Sequence, residues 1–344
     1  MAPSAWIAGW RMALPMATLA LPSQASASIQ SALHPAGPHA ATVERMWWIM
    51  AAGSVVILSF VMLLVTFALL RRRPADRDAD SVPRSGSGAP LMFIYIGGIA
   101  FPLVVLTTLL VYTLMAGSNL TTAAANALRI DVVARQWWWE VHYPAENEAA
   151  GFVTANELVV PVGRPVEVHV SSPDVIHSFW VPNLAGKIDA IPGRTNRIVL
   201  QADRAGVFRG QCAEFCGLQH ALMAFHVVAV PPERYEEWLQ RQRTPVAKPA
   251  AVLLARGYDV FMESGCGACH TVRGTEADGR RGPDLTGVGG RQALAAGTLP
   301  NGVGPLAGWI AAADHIKRGN GMPSFNVLPG AELRALAAWL ESLK

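Results

Sequence analysis

Charge is scarce in this chain of 344 residues. Only 15% of its residues are Asp, Glu, Lys or Arg, whereas 51% are hydrophobic, and an ordinary soluble domain has about 25% charged residues. The formal net charge is only +3. No Lys/Arg-rich run with interleaved aromatic residues is present, which argues against a nucleic-acid partner. The shortage of charge predicts instead that part of the chain lies in a membrane.

Two apolar runs contain neither a charge nor a histidine. They cover residues 47–70 and 91–115, and each exceeds the roughly 20 residues that a helix needs to cross a bilayer core. The loop between them is rich in arginine from Arg71 onward, so the positive-inside rule places it in the cytoplasm. The sequence therefore predicts a transmembrane hairpin over residues 45–116. It also predicts a multi-pass protein of the bacterial inner membrane, with everything after the hairpin on the periplasmic or exterior side.

A shorter apolar run lies near the N-terminus. It follows Arg11 and precedes the small residues 25–27, a pattern typical of a cleaved export signal. The run is too short to span a bilayer. We interpret residues 1–27 as a signal peptide, with a short membrane anchor as the alternative.

The exterior part of the sequence changes its periodicity twice. Residues 128–240 contain short segments in which apolar and polar residues alternate between Pro and Gly, a pattern that predicts an all-β sandwich or barrel. A proline-containing linker over residues 241–250 follows. Residues 251–344 show helical periodicity at both ends, with glycine-rich loops between them. We therefore expect a multidomain protein with a membrane hairpin, an all-β domain and an all-α domain.

Cysteine is also scarce, with four residues in the whole chain. Cys266 and Cys269 stand in a Cys-x-x-Cys-His motif, whose spacing lets two thiols attach covalently to haem while His270 binds the iron. Met322, in "GNGMPSF", is the candidate for the other axial ligand, because a thioether raises the haem potential. A redox dithiol or half of a zinc site are the alternatives. The flanking pattern is helical rather than βαβ, which favours haem c.

The other two cysteines lie in "GQCAEFCGLQHALM", residues 210–223. Cys212 and Cys216 are followed by His220 and Met223, and soft thiolate and thioether ligands together with imidazole favour copper. His177, in "SSPDVIHSFWVP", could complete a cupredoxin-style site. Two adjacent thiolates could bridge two copper ions, and a disulfide between these cysteines is the alternative.

Three stretches of the sequence resemble subunit II of cytochrome c oxidase: "CAEFCGLQHALM", "DVIHSFWVPNLAGKIDAIPGR" and "RQWWWE". Residues 251–344 resemble class I cytochrome c. The resemblance covers the chain from about residue 45 to its end and implies a cupredoxin-like fold for residues 128–240. It also implies a dinuclear copper A centre with two bridging thiolates, one imidazole on each ion and two weaker ligands. The bridging thiolates would be those of Cys212 and Cys216, and His177 and His220 would each bind one ion. Met223 and the backbone carbonyl of Glu214 would be the weaker ligands.

The resemblance further implies roles outside the copper ligands. The Glu214 side chain would contact a magnesium ion at the interface with subunit I. Electrons would enter the copper centre through Trp137, and Asp174 would be one of the acids around the surface where a donor docks.

The function implied by the resemblance is electron transfer within a haem-copper terminal oxidase. Electrons would pass from a donor cytochrome c or an upstream respiratory complex to haem c, then to copper A, and on to subunit I, where dioxygen is reduced to water with proton translocation. Neither apolar run contains a histidine, so the dioxygen site must lie in a partner; subunit III is a further expected partner. Two alternatives stay open, the copper A subunit of a nitric oxide reductase and a membrane-anchored copper-binding protein.

Overall fold

The computed structural model of the protein describes residues 29–71, 89–118, 126–144 and 151–344. The predicted signal peptide, residues 1–27, lies outside the described residues. The arginine-rich loop after Arg71 also lies outside them.

Two apolar helical segments precede the exterior domains. The first is helix α1 (Pro38–Leu70); the second consists of α2 (Ala89–Tyr95), a π-helical turn and α3 (Phe101–Ser118). Over Pro38–Leu70 and Leu91–Gly117 they are long and apolar enough to cross a membrane, by length and composition. Helix α1 begins at Pro38 rather than at the predicted residue 47. Proline is favoured in the first helical turn, and the Ala, Glu and Arg residues that follow are good helix formers although they are not part of the apolar run.

The start of α1 is bound to the β domain. The Ala36 N–H donates to the Asn183 carbonyl at 2.7 Å, and the Asp203 N–H donates to the Ala36 carbonyl at 2.7 Å. The His39 Nδ1 lies 2.7 Å from the Val199 carbonyl oxygen. Side chains of this segment are also buried, as at Ala36. The first membrane-spanning candidate therefore joins the β domain through direct contacts.

The β domain consists of two five-stranded sheets. Its strands are β1 (Leu128–Arg135), β2 (Trp138–Tyr143), β3 (Phe152–Ala155), β4 (Glu157–Pro161), β5 (Val166–Ser171), β6 (His177–Trp180), β7 (Lys187–Ala190), β8 (Asn196–Leu200), β9 (Gly206–Cys212) and β10 (Ala224–Val230). The strand order is β3-β2-β1-β5-β8 in one sheet and β4-β10-β9-β6-β7 in the other. Two adjacent pairs are parallel, β1 with β5 and β10 with β4.

The core between the sheets is aromatic at the end that carries the predicted ligands. The rings of Phe179 and Phe225 stack with centroids 4.6 Å apart, and the Trp139 ring lies 5.0 Å from that of Phe225. All three side chains are fully buried. The predicted cupredoxin-like β fold is confirmed, and its aromatic core lies beside the ligand positions, with the Trp139 and His177 ring centroids 6.3 Å apart.

Residues 251–344 form a helical domain. Helix α4 (Pro232–Arg243) leaves the β domain, and α5 (Val252–Glu263), α6 (Val303–Ile316) and α7 (Gly330–Ser342) follow. A two-residue ladder, β11 (Ala293–Leu294) with β12 (Leu299–Pro300), precedes α6. The core of this domain includes an edge-to-face pair at 5.0 Å between the Phe261 and Trp339 rings. The predicted all-α domain is confirmed.

The segment that joins the two exterior domains begins as the end of helix α4 and continues along the helical domain. Helix α4 extends to Arg243, into the predicted linker 241–250, and it ends before Pro245 because the residue preceding proline disfavours helical dihedrals. Val246 then donates its N–H to the Arg273 carbonyl at 2.7 Å. The linker is therefore bound along the surface of the helical domain.

Candidate metal and haem sites

The predicted copper ligands meet because β6 and β9 are neighbours in one sheet. β9 ends at Cys212 and β6 begins at His177, and Cys212 pairs with Phe179 across the two strands. The chain then loops out and returns at the start of β10. There the Cys212 N–H donates to the Met223 carbonyl at 2.9 Å. We call residues 212–223, which run from the end of β9 to the start of β10, the ligand loop.

Two thiols and two imidazoles form the centre of this site. The Sγ atoms of Cys212 and Cys216 are 3.8 Å apart, and both side chains are buried. A disulfide requires about 2.0 Å, so the two sulfurs are not bonded. Each sulfur has one imidazole Nδ1 at 3.8 Å, that of His177 for Cys212 and that of His220 for Cys216.

The two predicted weaker ligands also lie at the thiols. The Met223 Sδ is 3.8 Å from the Cys216 Sγ, and the backbone oxygen of Glu214 is 3.2 Å from the Cys212 Sγ. The Met223 side chain is buried, whereas Glu214 is exposed. The structure thus brings together all six residues that the resemblance implies as copper ligands.

Asp174 fixes the orientation of the His177 ring. The His177 side chain is fully buried, and its Nε2 lies 2.9 Å from the Asp174 Oδ1. The Gln136 N–H donates to the other Asp174 carboxylate oxygen at 2.7 Å. Burial opposes ionisation of this carboxyl, but its hydrogen bonds outweigh burial and lower the pKa of Asp174. The resemblance implies that Asp174 lies at the surface where a donor docks, and Asp174 is exposed. Its carboxylate also binds the His177 Nε2, which leaves the His177 Nδ1 directed at sulfur.

The chemistry of the two thiols suits a metal cluster. The hydrogen bond between the Cys212 and Cys216 thiols lowers the pKa of Cys212 and raises the pKa of Cys216. One sulfur is therefore ready to bind a metal as thiolate, and the second proton must leave when metal binds. Two soft thiolates, two imidazoles and a thioether in one cluster, all buried except the half-buried His220, are a donor set that fits copper.

A cavity of about 600 Å³ lies between the helical domain and the β domain. The predicted haem residues Cys266, Cys269, His270 and Met322 all line it. Much of the remaining wall is apolar. The β domain contributes one side of the cavity, and its lining residues are Gln136, Trp137, Trp138, Asn156 and Gln219.

His270 is positioned as an iron ligand. Its Nδ1 lies 2.7 Å from the Pro283 carbonyl oxygen, which places the ring proton on Nδ1 and leaves Nε2 with a lone pair. Burial lowers the pKa of His270, so the imidazole stays neutral. Gly282 allows the ring to sit this close to the backbone, since a Cβ at that position would lie 2.6 Å from the His270 Cε1.

Arg291 provides a second test of whether haem fits the cavity. It lines the cavity and is only 8% exposed, and its Nε has no hydrogen-bond partner in the described structure. A buried guanidinium N–H without an acceptor is costly, and a haem carries two carboxylates that can accept it. The cavity therefore fits haem in volume, in apolar lining and in charge.

Trp137 connects the two sites. Its ring lines the haem cavity, and its Nε1–H donates to the Cys216 carbonyl at 2.9 Å. The Gln136 Nε2 donates to the same oxygen at 2.9 Å. Gly217, at a φ of +110°, lets the ligand loop pass close to the indole, because a Cβ there would lie 3.3 Å from the ring. One side chain thus touches both the predicted haem cavity and the backbone of a candidate copper ligand.

Sequence analysis missed the residues that join the two exterior domains. Gln219 lies inside the ligand motif but belongs to none of its ligand positions, and Lys317 follows a helix, where a lysine is normally exposed. Both are buried here. Elsewhere in the interface the Glu157 Oε2 accepts the Gln292 N–H at 2.7 Å.

The Glu157 contact predicts a pH-dependent stability. Burial raises the pKa of Glu157 to about 6, above its ordinary value of 4.5. Between these pH values the native state holds a proton that the unfolded state has lost, so native stability falls as the pH rises through this window. We expect the unfolding free energy of the native protein to fall by about 2 kcal/mol more than that of Glu157→Gln between pH 4.5 and pH 7.

Chemical unfolding of the detergent-solubilised chain, followed by tryptophan fluorescence, measures this difference. Glu237→Gln changes a glutamate whose side chain is 53% exposed, and this control should follow the pH profile of the native protein. Parallel profiles for the native protein and Glu157→Gln would contradict the prediction.

A buried thiol pair and a haem-sized cavity that share one tryptophan wall are suited to passing single electrons. The fold and the sites therefore define a membrane-anchored redox protein with two electron carriers. Comparison with known proteins agrees. The family described as "Cytochrome C oxidase subunit II, periplasmic domain" matches residues 145–230, and the family described as "Cytochrome c" matches residues 254–344.

Full-length relatives extend the match over most of the chain. Cytochrome c oxidase subunit 2 of Alkalihalophilus pseudofirmus is 35% identical over 322 residues, which cover 91% of each protein. That of Bacillus subtilis is 28% identical over 97% of this chain and 98% of the relative. That of Bacillus sp. strain PS3 is 30% identical over 80% of each.

The chain belongs to the cytochrome c oxidase subunit 2 family. It is a subunit II of a haem-copper oxidase that carries a cytochrome c domain, and hence a component of an oxidoreductase complex with other subunits. The first domain type implies copper A and the second implies haem. This membership favours the oxidase over the nitric oxide reductase and the copper-binding protein that the sequence left open.

Proposed function

We propose that this chain delivers electrons to the oxidase one at a time. It takes them from a donor cytochrome c or an upstream respiratory complex at its haem c, and passes them through copper A to subunit I, where dioxygen is reduced to water with proton translocation. The observation that carries the proposal is the position of Trp137, whose ring lines the haem cavity while its N–H binds the Cys216 carbonyl.

The ligand assignments follow from the donor atoms at each site. In the proposal Cys212, Cys216, His177 and His220 would hold two copper ions. Met223 is a weaker ligand. Such a pair, when bound, supplies a one-electron couple shared between two metals. The chain holds the donors in place through the Asp174 hydrogen bond and through the aromatic core behind β6 and β9.

Glu214 has two proposed roles. Its backbone oxygen, 3.2 Å from the Cys212 Sγ, is the other weak copper ligand. Its exposed carboxylate binds a magnesium ion shared with subunit I. The neighbouring Phe215 is 76% exposed and Ile176 is 46% exposed, although both are large and apolar. Exposed apolar side chains beside the ligand loop support a protein partner at this face.

At the haem site, Cys266 and Cys269 would attach haem covalently, and His270 and Met322 would bind its iron. The Pro283 carbonyl holds the His270 ring with its Nε2 available to the iron. The Arg291 guanidinium offers its unpaired Nε–H to a haem carboxylate.

The proposal assigns each part of the chain a location. Residues 1–27 are a signal peptide, and residues 45–116 include the hairpin that makes the protein a multi-pass component of the bacterial inner membrane. The domains over 128–240 and 251–344, joined by 241–250, lie on the periplasmic side. Subunits I and III are the partners in the membrane. The two apolar helices, whose apolar windows have no residue buried within the protein, support this arrangement.

Met322→Leu tests the electron route. Leucine keeps a similar apolar shape but cannot bind iron, and the axial ligand sets haem potentials over a span of about 0.8 V. We expect the haem potential to fall by about 100 mV or more, which makes reduction of the haem by its external donor at least about tenfold less favourable, because 59 mV is a factor of ten for one electron.

Redox titration and flash-induced electron transfer in the assembled oxidase measure both effects. Met262→Leu is the matched control, since Met262 packs on the core of the same domain without lining the cavity. In Met322→Leu, a haem potential and a rate of haem reduction by the external donor that are both equal to those of the native protein would refute the assigned route.

A further inference from the structure

Lys317 is a buried cation at the boundary between the two exterior domains. It follows α6, is only 3% exposed, and lines the haem cavity. Its Nζ donates to three backbone carbonyls, those of Trp137 at 3.3 Å, Leu222 at 3.0 Å and Ala295 at 3.2 Å. An ammonium has three N–H donors, so each of them has an acceptor. Two of the three acceptors belong to the β domain.

Gln219 makes the reciprocal contact from the β domain. It is 2% exposed, and its Nε2 donates to the Arg318 carbonyl at 2.8 Å and to the Lys317 carbonyl at 3.3 Å. A side chain of the ligand loop thus binds the backbone that carries Lys317, while the Lys317 side chain binds the backbone of Trp137 and of the ligand loop. We call this pair of reciprocal contacts, Lys317 and Gln219, the clasp.

The backbones of the two domains meet directly beside the clasp. The Ala224 N–H, immediately after the ligand loop, donates to the Ala296 carbonyl of the helical domain at 2.9 Å. Both residues are at most 2% exposed. This hydrogen bond exists only while the domains are docked, so the protection of the Ala224 amide from exchange reports the docked state.

Burial of a lysine ammonium is unfavourable unless its hydrogen bonds are complete. Burial lowers the pKa of Lys317 to about 8, which still leaves the ammonium as the main form at neutral pH. Removal of the ammonium would leave the Trp137 and Leu222 carbonyls facing an apolar side chain. Separation of the domains would then be the route by which water reaches those carbonyls.

We propose that the clasp of Lys317 and Gln219 fixes the haem domain in one docked position over Trp137, which makes Lys317 a positioning residue for electron transfer. The transfer part of this inference rests on the proposed function, whereas the docking part does not. The clasp also keeps the half-buried Trp137 ring facing the chain's own haem domain. An external donor therefore has to deliver its electron to the haem domain while the clasp is closed.

Hydrogen exchange tests the docking part in the full chain within the oxidase complex. Lys317→Met keeps the apolar stem and removes the ammonium, and we expect the Ala224 amide to exchange at least tenfold faster than in the native protein. Lys344→Met is the control, because Lys344 belongs to the same domain and its side chain is 61% exposed. Exchange in Lys317→Met within twofold of the native rate would overturn the clasp.

Flash-induced transfer from haem to copper tests the positioning part. We expect Lys317→Met to slow transfer at least tenfold while the haem potential and the spectra of both metal sites stay unchanged, since no ligand is altered. Gln219→Ala should have the same two effects as Lys317→Met, slower electron transfer and faster exchange of the Ala224 amide. This variant provides the test if Lys317→Met does not assemble. Faster exchange with an unchanged transfer rate would contradict the electron route of the proposed function and leave the clasp standing.

Discussion

Replacement of Cys216 by serine is expected to abolish electron delivery from this chain to subunit I. The Cys216 Sγ lies 3.8 Å from three other candidate ligand atoms, the Cys212 Sγ, the His220 Nδ1 and the Met223 Sδ. A serine hydroxyl is a hard donor that stays protonated at neutral pH, so it cannot replace a bridging thiolate. Removal of a residue that only hydrogen-bonds to a metal ligand already lowers metal affinity by about 10- to 100-fold. We therefore expect copper affinity to fall by more than about 100-fold.

Metal analysis of the purified complex, with haem as the internal standard, measures this loss. The haem domain has its own core around Phe261 and Trp339, so haem content should be unchanged. Ala213→Ser is the matched control, since it adds a hydroxyl to the same loop without removing a thiol. Native copper content in Cys216→Ser would show that the thiol is not a ligand.

Replacement of Trp137 by phenylalanine is expected to slow electron transfer from haem to copper by about 100-fold. A misplacement of the reacting groups by about 1 Å slows a reaction that depends on their orientation by about this factor. Phenylalanine keeps an aromatic ring in the cavity wall but loses the Nε1–H that binds the Cys216 carbonyl at 2.9 Å. The Trp137 hydrogen bond to the ligand loop would be broken, while the Gln136 hydrogen bond to the same oxygen and every candidate metal ligand stay in place.

The transfer rate after a flash of light, together with the copper spectrum, measures this effect. Trp138→Phe is the matched control, because Trp138 also lines the haem cavity and adjoins Trp137 in the chain. We expect the control to transfer at close to the native rate. Equal slowing in both variants would mean that the cavity wall as a whole, and not the Trp137 hydrogen bond, sets the rate.

Much of the fold could be predicted from the sequence because several strands are half-buried and alternate strictly. β10 occurs as predicted over Ala224–Val230, and β5 lies within its predicted segment. β6 and β7 have only four residues each, which is too short for a periodicity to be recognised. Helix α6 was also missed, since its first turn contains glycine and proline and its dihedral angles are interrupted at Ala312.

Some residues of the candidate sites could likewise be predicted from the sequence, and others could not. Five of the six candidate copper ligands lie in the ligand loop, and their spacing in the sequence indicates their chemistry. The role of Asp174 depends on the turn before β6, which holds its carboxylate 2.9 Å from the His177 Nε2. The contacts of Lys317 and Gln219 depend on how two separately folded domains dock. No periodicity or motif within either domain contains that information.

The central claim is that the chain holds two copper ions and a haem in adjoining sites. Metal and haem analysis of the purified chain, combined with electron paramagnetic resonance of the oxidised copper site, tests it most directly. We expect two copper ions and one covalent haem per chain, with one unpaired electron shared equally by two copper nuclei. A bond between the sulfurs of Cys212 and Cys216 in the copper-treated chain, with no electron shared between two nuclei, would contradict the account.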